Sequence, residues 1–223
     1  MLAINILVIT AIFILNYIYQ SNGFNFKLKC LCSGLFAALG IINLIYAFIS
    51  GQSNKRFYIG MSAGLILAFL GDYLIGFDFI KGAAAFALGH ISFVVAYCFL
   101  QKMQKLDYAI SGTLFLSCLL FLLFFPLLTF EDELFRIVCI VYALIISTML
   151  GKAVGNFVRK RNIVTITIAV ASFLFFFSDL MLVLAWFIGR WSWTDNACMG
   201  TYYPALCFLA LSMCLNSITA KKN

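Results

Sequence analysis

Three ionisable residues stand inside long apolar runs: Asp72 in FLGDYLI, His90 in ALGHISF and Asp179 in FFSDLML. A charged side chain at the centre of a bilayer costs about 3 kcal/mol on insertion scales. Each of these groups therefore has a compensating partner or a function. Two carboxyls and an imidazole in a low-dielectric setting suit acid and base catalysis. Burial disfavours the ionised form of a carboxyl, which can then keep its proton near neutrality, and neighbouring carboxyls can divide the roles of acid and base.

Other polar residues accompany them at helix mouths: Lys29 ahead of one apolar run, and the Tyr202-Tyr203 pair inside another. Each has a plainer reading. The aspartates could bond a neighbouring helix, His90 could be a neutral contact residue, the tyrosines could belong to an interfacial belt, and Lys29 could snorkel from a loop. Counting about 1.5 Å per residue from the helix ends puts Asp72 a turn or two inside one face, Asp179 and His90 about 14 Å inside it, and the tyrosines about 6 Å inside. All of them then fall in the same half of the bilayer, on five helices, as a pocket between helices requires.

The elements that must position these residues are legible in the composition. Of 223 residues, 65% are hydrophobic and 10% charged, against about a quarter charged in soluble domains. A water-soluble core is excluded. A span needs about 20 apolar residues to cross about 30 Å of hydrocarbon, and apolar runs near 2–19, 28–49, 57–76, 81–100, 108–128, 134–151, 163–188 and 198–218 supply eight. The runs are apolar on all faces and too long for barrel strands, so the expected fold is all-α: a single polytopic bundle of about eight transmembrane helices. The first run has no basic leader or cleavage site and is expected to be retained. FLGDYLI and FFSDLML lie four helices apart, which suggests a four-plus-four parallel repeat.

The net charge of +7 sits in short loops, where it sets orientation rather than binding nucleic acid. Lys55, Arg56, Lys102, Lys105, Lys152, Arg159, Lys160, Arg161, Lys221 and Lys222 share one face with both termini; Lys27, Lys29, Lys81, Arg136 and Arg190 oppose them, with the acidic run Glu131-Asp132-Glu133. That split places both termini in the cytoplasm and suits a bacterial inner membrane. Eight cysteines without CxxC spacing read as small hydrophobes rather than a zinc or disulfide framework.

Taken in order, GLILAFLGDYLIG (64–76), AFALGHISFVVAYCF (85–99), FFFSDLMLVLAWF (175–187) and TYYPALCFLALS (201–212) resemble the YhhN-like lysoplasmalogenase family, as does the lysine-led start of the second helix at Lys29. Two positions depart from its pattern. Leu206 stands where the family usually has a glutamine, and Cys30 and Cys32 flank the place of a frequent proline. The resemblance implies an integral membrane hydrolase that needs no cofactor or metal. Its substrate would be a lysophospholipid taken from the bilayer, split at the vinyl ether into a fatty aldehyde and a glycerophospho-amine. One of Asp72 and Asp179 would be the acid and the other would steady the cation and activate water, the residues leaving open which is which. His90 would orient water or an aspartate, Tyr202 or Tyr203 would bond an oxygen of the substrate, and Lys29 would meet the phosphate.

The rival reading is a proton-coupled transporter of a small solute or lipid that uses the buried Asp pair. Pro126 and Pro204 are expected near helix ends, which gives such broken helices little support. A zinc amidase would need several histidines where this chain has one, and no GxSxG elbow marks a serine hydrolase.

Overall fold

The structure, a computed structural model, describes residues 1–128, 130, 132–189 and 191–220. Glu131, Arg190, Lys221 and Lys222, which entered the charge count above, lie outside the described residues. The described chain folds as α1 (Leu2–Ser21), α2 (Phe26–Ile49), α3 (Lys55–Leu74), α4 (Phe79–Leu100), α5 (Lys105–Phe124), α6 (Glu133–Arg159), α7 (Ile163–Phe187) and α8 (Ser192–Ala220). All eight are long and apolar enough to span a membrane.

Local chemistry sets several boundaries. Asn25, Asp78, Asp132 and Asn162 precede helices, and each side chain accepts a backbone N–H of the first turn. Helix α5 stops at Phe124 because Phe125, held extended at φ −74° and ψ 115°, precedes Pro126. Three expectations are corrected. Helix α8 begins at Ser192 rather than Cys198, so the tyrosine pair lies deeper along its helix than the count gave, and Pro204 sits inside the helix rather than near its end. Helix α6 continues past residue 151 to Arg159, which takes Lys152 out of the loops: it is 0% exposed.

Lys152 has a reason to be there. Its ammonium donates to Asp107 Oδ2 and to the Lys102 carbonyl, both at 3.0 Å, while Arg159 Nη1 bonds Asp107 Oδ1 at 2.6 Å. Asp107 was not expected among the buried ionisable groups, yet it too is 0% exposed. Gly155 makes this possible, because a Cβ there would collide with the Asp107 carboxylate. The cluster ties the start of α5 to the end of α6, and α5 packs chiefly on α6.

Consecutive helices pack in order within each half, α1 on α2 on α3 on α4 and α5 on α6 on α7 on α8; across the halves α8 meets α2 as α4 meets α6. The α8–α2 and α4–α6 contacts correspond as a parallel repeat would have them, whereas α8 also meets α1 and α3 and, among the described residues, the backbone of α4 comes close to neither α5 nor α7. Phe36, Leu65, Phe93, Phe175 and Leu209 form the core, whereas Leu7, Ile49 and Phe124 are exposed. An apolar exterior is what helices in lipid present. Amides join helices inside, as in the mutual Asn5–Asn43 bonds at 2.9 Å.

Candidate active site

Helix α2 presents Lys29 and Ser33 one turn apart, and so on one face. Both reach Asp72, two residues from the end of α3 and 2% exposed. Lys29 Nζ lies 3.2 Å from Oδ1, and Ser33 Oγ donates to Oδ2 at 2.5 Å. From α8, Tyr202 donates to the same Oδ2 at 2.7 Å. Tyr203 stands behind this group, donating to the Lys29 carbonyl at 3.3 Å, with Ser33 Oγ 3.4 Å away.

Asp179 on α7 has a second set of partners. Tyr142 of α6 donates to its Oδ2 at 2.6 Å, and His90 Nε2 of α4 lies 3.2 Å from the same oxygen. His90 Nε2 is also 2.7 Å from the Tyr142 hydroxyl, which closes a triangle, and Nδ1 rests 3.2 Å from Met149 Sδ. The two carboxyls thus differ in electrostatic surroundings. Asp72 faces an ammonium and two hydroxyl donors; Asp179 faces a phenol and an imidazole, with no Lys or Arg ion pair among the described residues.

Phe175 links the two sets, edge-on to His90 at 4.6 Å and to Tyr202 at 5.4 Å. Phe86 stands edge-on to Tyr202 at 6.0 Å, and Gly71, just before Asp72, leaves it room: a Cβ there would come within 2.8 Å of the Phe86 ring.

Both carboxyls open onto space. A polar chamber of about 390 Å³ is lined by Lys29, Asp72, Asp179 and Tyr202, together with Tyr19 and Asp195. A smaller apolar chamber of about 80 Å³ runs between α4, α5, α6 and α7, past Phe79, Ala83, Phe121, Leu122 and Tyr142. Among the described residues the chambers share four wall residues, Ile75, Phe86, Asp179 and Leu182. Asp179 is the only ionisable one among them.

The structure therefore brings Lys29, Asp72, Asp179 and Tyr202 to one chamber, and it sets His90 and Tyr203 behind as supports. Leu206 is fully buried and lines neither chamber. Tyr142 and Ser33 were missed from the sequence. A tyrosine within an apolar span was the available signal, since its hydroxyl needs a buried partner. Among the described residues no group of three His, Cys, Asp or Glu side chains could hold a metal ion.

The family model described as the YhhN family matches residues 32–213 of the 223, which holds every residue above except Tyr19 and Lys29. No curated protein and no solved structure matches the chain significantly.

Proposed function

The chain belongs to the YhhN family, and from that premise we propose that it is a membrane hydrolase which cleaves the vinyl ether bond of a lysoplasmalogen to a fatty aldehyde and a glycerophospho-amine. The observation that carries this reading is the meeting of a polar and an apolar chamber at Asp179. A single-chain ether lipid is polar at one end and apolar at the other, with its vinyl ether at the junction. With its chain among Phe79, Phe121 and Leu122 and its phosphate towards Lys29, that bond comes to Asp179.

Protonation of the β-carbon of a vinyl ether gives an oxocarbenium ion, which water captures as a hemiacetal; collapse of the hemiacetal frees aldehyde and alcohol. Asp179, which has no ion-paired Lys or Arg among the described residues, is the acid that gives the proton. Asp72, ion-paired with Lys29, is the carboxylate that steadies the cation across the chamber. The proton lost by the attacking water returns to Asp179, so the cycle consumes one water and leaves the protein unchanged. His90 and Tyr142 hold the Asp179 carboxyl in place.

Lys55 and Arg56 at the start of α3, Lys102 and Lys105 at the turn into α5, and Lys160-Arg161 between α6 and α7 lie at the other end of the helices from the chamber. The positive-inside tendency then supports cytoplasmic termini and a chamber on the opposite side.

Purified protein in detergent should release fatty aldehyde from a lysoplasmalogen and none from a diacyl phospholipid. Failure of folded wild-type protein to do so overturns the assignment.

A further inference from the structure

The polar chamber holds more charge than the proposed reaction uses. Asp195, in the first turn of α8 and half-buried, lines it beside Trp186 and Tyr19. Among the described residues its carboxylate has no cation and no hydrogen-bond donor as partner. Tyr19 is only 5% exposed, faces the same chamber, and its hydroxyl likewise has no hydrogen-bond partner among the described residues. An acid in the first turn of a helix is favoured by the helix dipole alone. The dipole explains the residue type; it explains neither the placement in the chamber wall nor the unpartnered phenol opposite.

Charge balance narrows what the chamber takes. Its described walls carry one ammonium, Lys29, and three carboxyls, Asp72, Asp179 and Asp195. Lys29 and Asp72 offset each other at 3.2 Å, and Asp179 enters the proposed reaction with its proton. Among the described residues Asp195 then remains as negative charge without a cation beside it. A head group that is only anionic would add repulsion, whereas a zwitterion satisfies both ends. Its phosphate meets Lys29 and the Tyr19 hydroxyl, and its cationic nitrogen meets Asp195 with the aromatic Trp186 beside it.

We infer that Asp195, with Tyr19 and Trp186, is the amine-reading end of a head-group site, and that Asp195 selects lysophospholipids ending in a cationic nitrogen over anionic ones of the same chain. The inference rests on the reading of this chamber as a lipid head-group site, and it assigns specificity to a residue that takes no part in bond cleavage.

Binding separates it from turnover. Acyl lysophosphatidylcholine, lysophosphatidylethanolamine and lysophosphatidylglycerol of one chain length lack the vinyl ether, and their affinities for the full-length protein in uncharged detergent can be measured by titration calorimetry. Wild-type protein is expected to prefer the two amine lipids by about tenfold in Kd. Asp195→Asn should bring the ratio to within about twofold, Asp195→Lys should reverse it, and Asp195→Glu should keep it. A ratio near one in wild-type protein, a ratio unchanged by Asp195→Asn, or no binding of any of the three overturns the inference. Aldehyde release with an unaltered ratio would leave the hydrolase reading intact, and a ratio that depends on Asp195 without aldehyde release would leave the head-group site intact.

Discussion

Asp72 and Asp179 occupy matching places in the two halves of the bundle. Each takes partners from the helix before it, Lys29 and Ser33 of α2 for Asp72 and Tyr142 of α6 for Asp179. Each takes another from the fourth helix of the other half, Tyr202 of α8 and His90 of α4 respectively. Charge breaks the symmetry, since among the described residues Asp72 faces a lysine and Asp179 does not. Two carboxyl sites of similar build, one of them with a lysine fixed beside it, are what the proposed reaction needs to divide into one carboxylate and one proton donor.

That division predicts unequal consequences for two similar changes. Asp179→Asn removes the acid and should lower kcat by about 10²- to 10⁴-fold. Asp72→Asn should also slow turnover, but Asp179 still protonates carbon, so the residual rate should keep the slowing in deuterium oxide that carbon protonation gives. Loss of that isotope effect in Asp72→Asn, with its retention in Asp179→Asn, would exchange the two roles.

Tyr142→Phe tests the support around the acid. Phenylalanine fills the same ring volume and deletes the hydroxyl that lies 2.6 Å from Asp179 and 2.7 Å from His90. Asp179 becomes a charged acceptor as it gives up its proton, and a hydrogen bond to a charged group contributes about 1.5–3 kcal/mol, so kcat should fall by about 10- to 100-fold with little change in KM. An unchanged kcat would show that the triangle is packing alone.

How far the sequence carried these features follows from which signals are local. The spans were legible because insertion in lipid demands long uninterrupted apolar runs, and Asp72, His90 and Asp179 stood out because each is costly there. Asp107 went unremarked and Lys152 was counted with the loops because a polar residue near the end of an apolar run reads as loop. Only the continuation of α6 to Arg159 makes them a buried pair. Tyr142 escaped because a single hydroxyl barely changes the hydropathy of CIVYALIIS, and its role depends on a partner on another helix. The joining of a polar and an apolar chamber draws wall residues from all eight helices and has no signature in any one segment.

The apolar chamber makes its own prediction. Ala83 and Ala143 are small residues in its wall. Phenylalanine at either position would occupy much of about 80 Å³, and overpacking a filled core costs about 1–3 kcal/mol. With Ala143→Phe, substrates with long chains should therefore lose kcat/KM more than short-chain ones, read from a chain-length series in the aldehyde assay. A uniform loss across the series would place the chain elsewhere.

The ion cluster at the other end of the bundle should matter for stability and not for chemistry. Asp107 offsets Lys152, 0% exposed, and Arg159 together. Asp107→Ala leaves two cations facing each other with no carboxylate between them, and breaking a buried pair in this way costs about 3–5 kcal/mol. Replacing both partners, as Asp107→Leu with Lys152→Met, removes the uncompensated ammonium and should recover part of that loss. Thermal unfolding in detergent reads the order: wild type, then the double variant, then Asp107→Ala. Because the cluster fastens α5 to α6 far from Asp179, the folded fraction of each variant should turn over lipid at the wild-type rate. A kcat that fell in step with the melting temperature would mean instead that the hold on α5 reaches the chamber wall at Phe121 and Leu122.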